Sequence, residues 1–176
     1  LIVGRLRQRY CQWCGNLSVS IVNFLKMQAT GNDFVMLESD AELSRLAFAV
    51  CDRHFGVGAD GLIAVTPAGP AQVSMRIWNA DGSEAEACGN GLRCAVRYAV
   101  DQGLVAAGST RLSVSTIAGE RQAEVTYQAG AASWVRVGMG APEFEAAKIP
   151  VIVTAPQTVL DSPLTVGEQD FKLSFV

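Results

Sequence analysis

Asn79-Ala80-Asp81-Gly82-Ser83-Glu84-Ala85-Glu86-Ala87-Cys88-Gly89-Asn90-Gly91-Leu92-Arg93-Cys94 is the stretch whose reading decides the fold. An Asp-Gly turn follows Asn79, and Gly89 and Gly91 flank Asn90 where a helical pattern opens. Leu92, Ala95, Val96, Ala99 and Val100 then fall on one stripe, and Cys94 and Tyr98 widen it. The polar positions are few, mainly Arg93, Arg97, Asp101 and Gln102. A helix with so little polar surface is expected to be buried on most sides. Gly103 is its natural stop. A helix N-terminus carries free N–H groups and the positive end of a dipole. A cysteine held there tends to ionise, and the same N–H groups can receive a carboxylate. Cys88 is therefore a candidate base or nucleophile. The N–H groups of the helix start are a candidate site for the carboxylate of an acid substrate.

On either side, the pattern is mostly strands. Asn23 to Met27 and Phe34 to Leu37 read as short strands around a Gly31-Asn32-Asp33 turn signal. Ser39-x-x-Glu42 reads as a capping box, and Leu43, Leu46, Ala47 and Val50 follow at helical spacing. Gly56, Gly58 and Gly61 mark a tight loop before a buried strand at Leu62 to Val65. In Gln72 to Trp78, Val73, Met75 and Ile77 alternate with Ser74 and Arg76, the sign of a half-buried strand. Strands are expected at Thr110 to Thr116, Glu120 to Tyr127 and Ser133 to Met139, with a hairpin turn at Ile117-Ala118-Gly119. Further on, Val151 to Thr154 reads as a strand, and Phe171, Leu173 and Phe175 alternate in a last one. Many strands joined by hairpins, with two helices, predict an α+β fold in which a curled, mostly antiparallel sheet wraps a central helix.

The 176 residues suffice for one domain with a real core, or one domain and part of another. Half the residues are apolar and 18% are charged, which places the chain among globular proteins. The net charge of −3, without a basic patch, argues against nucleic-acid binding. No apolar run is long enough to span a membrane. Five scattered cysteines are a poor disulfide framework and point to reduced thiols in the cytoplasm. Cys11-x-x-Cys14 resembles half a zinc site or a redox pair, but there is no second pair and His54 is the single histidine. A complete zinc site is therefore not expected. Residues 1–22 differ from the rest of the chain: they superficially resemble a signal or transit peptide, but Arg5, Arg7 and Arg9 break the apolar run and no apolar core follows, so they read as an extension before the patterned chain.

Several residues have a bland reading beside the chemical one. A free cysteine is most often a core residue, which suits Cys94 better than Cys88. Asn32, Asn79 and Asn90 each sit on a glycine-bearing turn, and turn chemistry explains any one of them. Together they would suit an uncharged clamp for an amino-acid head group, since amides both donate and accept. Asp81 reads as a turn residue, Glu84 and Glu86 as a solvated edge, and His54 as a hydrogen-bonded structural residue. Gly56-x-Gly58-x-x-Gly61 has dinucleotide-fingerprint spacing but follows a helix and precedes a strand, the reverse of what that motif needs.

Asn79-Ala-Asp-Gly-Ser, then four residues, then Cys88-Gly89-Asn90-Gly91-x-Arg93 resembles the signature of the diaminopimelate epimerases. The resemblance extends to Lys26-Met27 with Gly31-Asn32-Asp33-Phe34, and to Arg53-His54 with Val57-Gly58-Ala59-Asp60-Gly61. It continues to Gly138-Met139-Gly140-x-Pro142, and covers roughly residues 23–145 closely and weakly thereafter. It implies two similar α/β halves facing across a cleft, each giving one cysteine, and a reaction that uses neither pyridoxal phosphate nor metal. By resemblance Cys88 is one acid/base cysteine, Asn32 and Asn79 contact substrate, and Gly89 and Asn90 form the backbone anchor. This chain departs from the family at Gln28-Ala29, where His-Gly is common, and at Gly61, where some members carry glutamine. It also lacks the second-half Cys-Gly-Thr or Cys-Gly-Ser turn.

The expected organisation is an extension at 1–22, a first epimerase half at 23–140 and the start of a truncated second half at 141–176. The expected reaction is epimerisation of LL-diaminopimelate to the meso isomer, in lysine and peptidoglycan precursor synthesis. This chain alone is expected to be inactive, and a homodimer is a candidate assembly. The rivals are a racemase or epimerase of another amino acid, such as histidine or hydroxyproline, and a non-catalytic module on the same scaffold.

Overall fold

The computed structural model describes residues 2–8, 20–86, 88–149, 151 and 160–175. They divide into two units, Leu1–Met139 and Gly140–Val176. In the first unit, β1 (Ile2–Gln8), β2 (Ser20–Ala29), β3 (Asn32–Leu37), β4 (Gly61–Gly69) and β5 (Gln72–Asn79) lie side by side in sequence order. The short β6 (Glu84–Ala85) pairs with β5 off the main path, and β7 (Arg111–Thr116), β8 (Gly119–Gln128) and β9 (Ala131–Val137) continue the sheet.

Six of the eight described strand pairings in this unit are antiparallel; β3–β4 and β5–β7 are parallel. A parallel pair needs a crossover where an antiparallel pair needs only a turn. Two helices belong to those crossovers: α1 (Ser44–Cys51) lies between β3 and β4, and α2 (Gly89–Asp101) between β5 and β7. They cover opposite faces. In β3, Phe34 and Met36 point into the core around α2, while Val35 and Leu37 point into the core under α1. In β4, Ile63 and Val65 join the first core, and Leu62 and Ala64 the second. Period-2 alternation distributes apolar residues to both faces, and burying each large aliphatic side chain contributes about 1.5–3 kcal/mol.

α2 packs on β2, β3, β4, β5, β7 and β9, so strands near both ends of the sheet meet one helix. The sheet therefore curls around α2, as the α+β reading expects. Gly91, Leu92, Cys94, Ala95, Val96, Tyr98 and Ala99 are buried on the helix. It ends in a full Schellman motif: Gly103, at φ +68°, donates to Val100 O at 3.2 Å, and Leu104 donates to Ala99 O at 2.9 Å.

Several local expectations change. No capping box forms: Leu43 occupies the N-cap of α1 without a side-chain bond, and the Glu42 carboxylate accepts from Ser44 N–H at 2.8 Å. The β2–β3 turn is centred on Thr30-Gly31, not Gly31-Asn32-Asp33; Ala29 pairs with Asn32, so Asn32 already belongs to β3. β5 is buried on both faces toward its end, because Trp78 is fully enclosed in the core under α1. Glu84 is not a free edge residue: it accepts from Arg76 at 2.6 and 2.9 Å. Part of the irregular-looking N-terminal segment is regular backbone, with Ile2–Gln8 pairing antiparallel to Ser20–Lys26. Cys11 and Cys14 lie outside the described residues, as does the segment expected as a strand from 152 to 154.

The second unit contains a short 3-10 helix (Ala146–Lys148) and a two-stranded hairpin of β10 (Ser162–Val166) and β11 (Gln169–Leu173). Phe171 and Leu173 fall in β11, whereas Phe175 lies beyond it. No described helix is long and apolar enough to cross a membrane.

Candidate active site

Cys88 is the N-cap of α2, with extended backbone at φ −145° and ψ 118°. Its carbonyl accepts from Leu92 N–H at 2.8 Å, and its Sγ accepts from Gly91 N–H at 3.4 Å. Sulfur thus replaces the usual cap oxygen of serine or aspartate. Gly89 and Asn90 occupy the first two helical positions, whose N–H groups have no carbonyl one turn earlier to bond. The first turn holds no acidic side chain to neutralise the dipole. Glycine at 91 has a packing reason: a Cβ there would lie 3.0–3.3 Å from Ile63, Met75 and Ile77 side-chain carbons. Glycine at 89 leaves room for Met139, whose sulfur would lie 3.3 Å from a Cβ at that position.

Asn32 opens β3 and extends its amide Nδ2 to 3.8 Å from Cys88 Sγ. Two N–H donors thus face the sulfur. The Asn90 side chain turns elsewhere: its Oδ1 accepts from Thr30 Oγ1 at 2.8 Å and also from Arg93. Asn79 lies at the same end of the sheet, since it pairs with Gly61 and Gly61 with Phe34. Its amide is held in its own turn, donating to Ser83 Oγ at 2.9 Å. Asp81 also serves that turn, accepting from Ser83 N–H at 2.9 Å and Ser83 Oγ at 2.6 Å. Of the four residues expected around Cys88, Asn32, Gly89 and Asn90 gather there. Asn79 borders the site through the sheet.

The other described thiols differ. Cys94 and Cys51 are buried, and desolvation pushes each up to about 11, so both are inert near neutral pH. Cys88 is only partly buried. His54 is exposed, and its backbone N–H donates to Asp52 Oδ1 at 2.7 Å. No described cluster of three His, Cys, Asp or Glu side chains is arranged to hold a metal ion.

An ion network behind Asn32 escapes a residue-by-residue reading of the sequence. Asp33 accepts from Lys26 Nζ at 2.9 Å and from Arg53 at 2.8 and 3.2 Å. Arg53 also bonds Asp60 at 2.7 Å, and Lys26 donates to Gly58 O. Asp33 and Asp60 are also tied through their backbone N–H groups, Asp33 N–H donating to the Asp60 carboxylate Oδ2 and Asp60 N–H to the Asp33 carbonyl, both at 2.9 Å. Arg53, then burial acting the other way, then Lys26 are the main influences on the Asp33 carboxyl, which is held far below the ordinary carboxylate range. The strand β2, the start of β3 and the loop before β4 are thereby tied together. The sequence signal was the recurrence of charged residues beside the glycines of two separate motifs.

The diaminopimelate epimerase family profile matches residues 24–145. The chain is 43% identical over 157 residues to the diaminopimelate epimerase of Caldanaerobacter subterraneus subsp. tengcongensis, covering 88% of this chain and 56% of that protein. It is 46% identical over 136 residues to the diaminopimelate epimerase of Archaeoglobus fulgidus, covering 73% of this chain and 47% of that protein. The chain thus spans about half the length of the curated relatives it matches. Among solved structures, a hydroxyproline epimerase from Agrobacterium vitis aligns with a TM-score of 0.55 at 14% identity, over 85% of this chain and 46% of that one. A probable proline racemase from Agrobacterium radiobacter aligns at 0.54 and 16% identity, over 66% of this chain and 41% of that one. These two likenesses show the fold. The family match over residues 24–145, more than half of the chain, shows that the chain belongs to the diaminopimelate epimerase family.

Proposed function

We propose that residues 23–140 form one half of a two-thiol amino-acid epimerase acting on LL-diaminopimelate, that 141–176 begin the second half, and that Cys88 is one of its two acid/base groups. The observation that carries this reading is the position of Cys88: a helix N-cap whose sulfur accepts from Gly91 N–H and Asn32 Nδ2. Diaminopimelate is the substrate that the relatives' names support.

Inverting a stereocentre requires a base on one face of the carbon and an acid on the other. Cys88, as thiolate, takes the α-proton. The S–H bond forms as the Cα–H bond breaks, and the electron pair delocalises into the substrate carboxylate. A thiol on the opposite face, outside residues 23–140, then donates its proton to the same carbon and completes inversion. Because the two thiols exchange roles, the reaction runs in either direction and consumes no co-reactant. The N–H groups of Gly89 and Asn90, at the positive end of α2, receive the carboxylate as negative charge grows on it. Asn32 keeps one amide on the sulfur, and Asn79 closes the same end of the site. Neither a metal nor pyridoxal phosphate enters the proposed chemistry.

With one acid/base thiol, the 176-residue chain by itself does not epimerise. The purified chain is incubated with LL-diaminopimelate in deuterated water and the product resolved by isomer and mass. No meso product carrying α-deuterium is expected. Appreciable deuterated meso product would contradict the single-thiol reading and show that the chain, alone or as two copies, supplies both faces.

A further inference from the structure

Thr30 has the backbone of a left-handed turn at φ +51°, followed by Gly31 at +87°. Two-residue hairpin turns of this type favour Asn-Gly or Gly-Gly, and a β-branched residue at positive φ is an outlier. Such strain persists where surrounding contacts impose it, and it concentrates at functional sites. The contacts are present. The Thr30 hydroxyl donates to Asn90 Oδ1 at 2.8 Å and accepts from Arg93 at 3.2 Å, while Arg93 also donates to Asn90 Oδ1. A hydroxyl can act as donor and acceptor at once, so Thr30, Asn90 and Arg93 close a three-membered ring. That ring joins the β2–β3 turn to the first turn of α2. On one side of it, two residues along the chain, lies Asn32. On the other, two residues back, lies Cys88. The ring therefore spans the junction across which Asn32 Nδ2 reaches Cys88 Sγ.

We propose that Thr30 is a positioning residue: its hydroxyl, with Arg93, latches the hairpin turn onto the start of α2 and so sets the approach of the Asn32 amide to Cys88 Sγ. The strained backbone at Thr30 is retained for this tie, because asparagine or glycine would satisfy the turn without it. The proposal rests on Cys88 being the reacting thiol. It adds that a residue outside the cysteine signature, bonded to Asn90 and Arg93, governs how that thiol is presented. It also gives Arg93 a role: the guanidinium fixes the Asn90 side chain, so that the adjoining backbone N–H groups keep their aim.

The test uses the 176-residue chain with Thr30→Gly and Thr30→Ser. The readouts are the iodoacetamide alkylation rate of Cys88, followed by peptide mass spectrometry across a pH series, and the urea unfolding midpoint. Glycine removes the strain and the tie together. The expected result is an unchanged or higher midpoint with Cys88 alkylation near neutral pH slowed by about threefold or more. Thr30→Ser keeps the hydroxyl and is expected to restore the rate. An unchanged rate in Thr30→Gly overturns the proposal, as does a rate that falls only in step with a lowered midpoint, or a serine variant as slow as glycine. Slow alkylation of Cys88 in the unsubstituted chain is a different outcome: it overturns the functional reading on which the proposal rests.

Discussion

Asp33→Asn removes one negative charge from the centre of the ion network and preserves the side chain's shape. The carboxylate receives Lys26 at 2.9 Å, Arg53 at 2.8 and 3.2 Å, and the Asp60 backbone N–H at 3.1 Å. The two cations do not count equally. The Arg53 side chain is 55% exposed, so water screens that pair and it contributes little. Lys26 and Asp33 are 19% and 17% exposed, and a charge-assisted bond between them contributes about 1.5–2 kcal/mol. An asparagine oxygen keeps a weaker bond to one donor, so the net loss expected is about 2 kcal/mol. The pH dependence has a definite sign. The folded carboxyl is held below its ordinary value of 3.8, so its stabilisation is present above that value and disappears as pH falls toward the folded one. Urea unfolding of the chain and of Asp33→Asn, followed by tryptophan fluorescence, to which the fully buried Trp78 contributes, measures both effects. Near neutral pH the variant is expected to be about 2 kcal/mol less stable, and the gap to narrow clearly by about pH 2–3. A gap under about 0.5 kcal/mol near neutral pH, the range of ordinary surface substitutions, would refute the reasoning. So would a gap that persists unchanged in acid.

Other substitutions probe the local structure that positions the site. Gly103→Ala forces an L-residue to φ +68° in open space, so calorimetry is expected to show a loss of about 1 kcal/mol from backbone strain alone. Gly56→Ala places a Cβ 2.5 Å from the Ala49 and Val50 carbonyl oxygens, which are backbone atoms and cannot step aside. Chemical denaturation should show a loss of at least about 2 kcal/mol, because the end of α1 must shift. Arg76→Met breaks the bidentate bond to Glu84 and removes the guanidinium lying 4.6 Å from the centre of the Trp78 ring. The expected cost is about 1 kcal/mol by urea titration, since the group is partly solvent-exposed.

The sequence carried the central helix and the site start almost whole. The apolar stripe of Leu92, Ala95, Val96 and Ala99 together with Gly103 specified α2 and its end. Strict alternation in Val73, Met75 and Ile77 specified β5. Both signals are local and periodic, and burial in the structure follows the same periods. The failures were of two kinds. The capping box at Ser39 and Glu42 has the right spacing, but Glu42 bonds the first turn at Ser44 from outside the helix, and the helix begins later. Spacing alone cannot separate those two uses of one carboxylate. The second kind is non-local. Nothing in the neighbourhood of Thr30 announces that its hydroxyl meets Asn90, sixty residues away. Likewise, the Asp33 network depends on Lys26, Arg53 and Asp60 arriving from three segments. β1 was missed because its pairing with β2, and no periodicity of its own, makes Ile2–Gln8 a strand. Asn79 shows the remaining gap. Its place at the strand end was legible, but the commitment of its amide to Ser83 was not.

The central claim is that Cys88, presented by the start of α2 and by Asn32, is the reacting thiol of this half-site. The most direct measurement is competitive alkylation of the native chain with limiting iodoacetamide near neutral pH, quantified cysteine by cysteine by mass spectrometry. Cys88 is predicted to label at least about tenfold faster than Cys51 and Cys94, whose burial holds them as thiols. Labelling of Cys88 no faster than that of Cys94 in the folded chain would contradict the account.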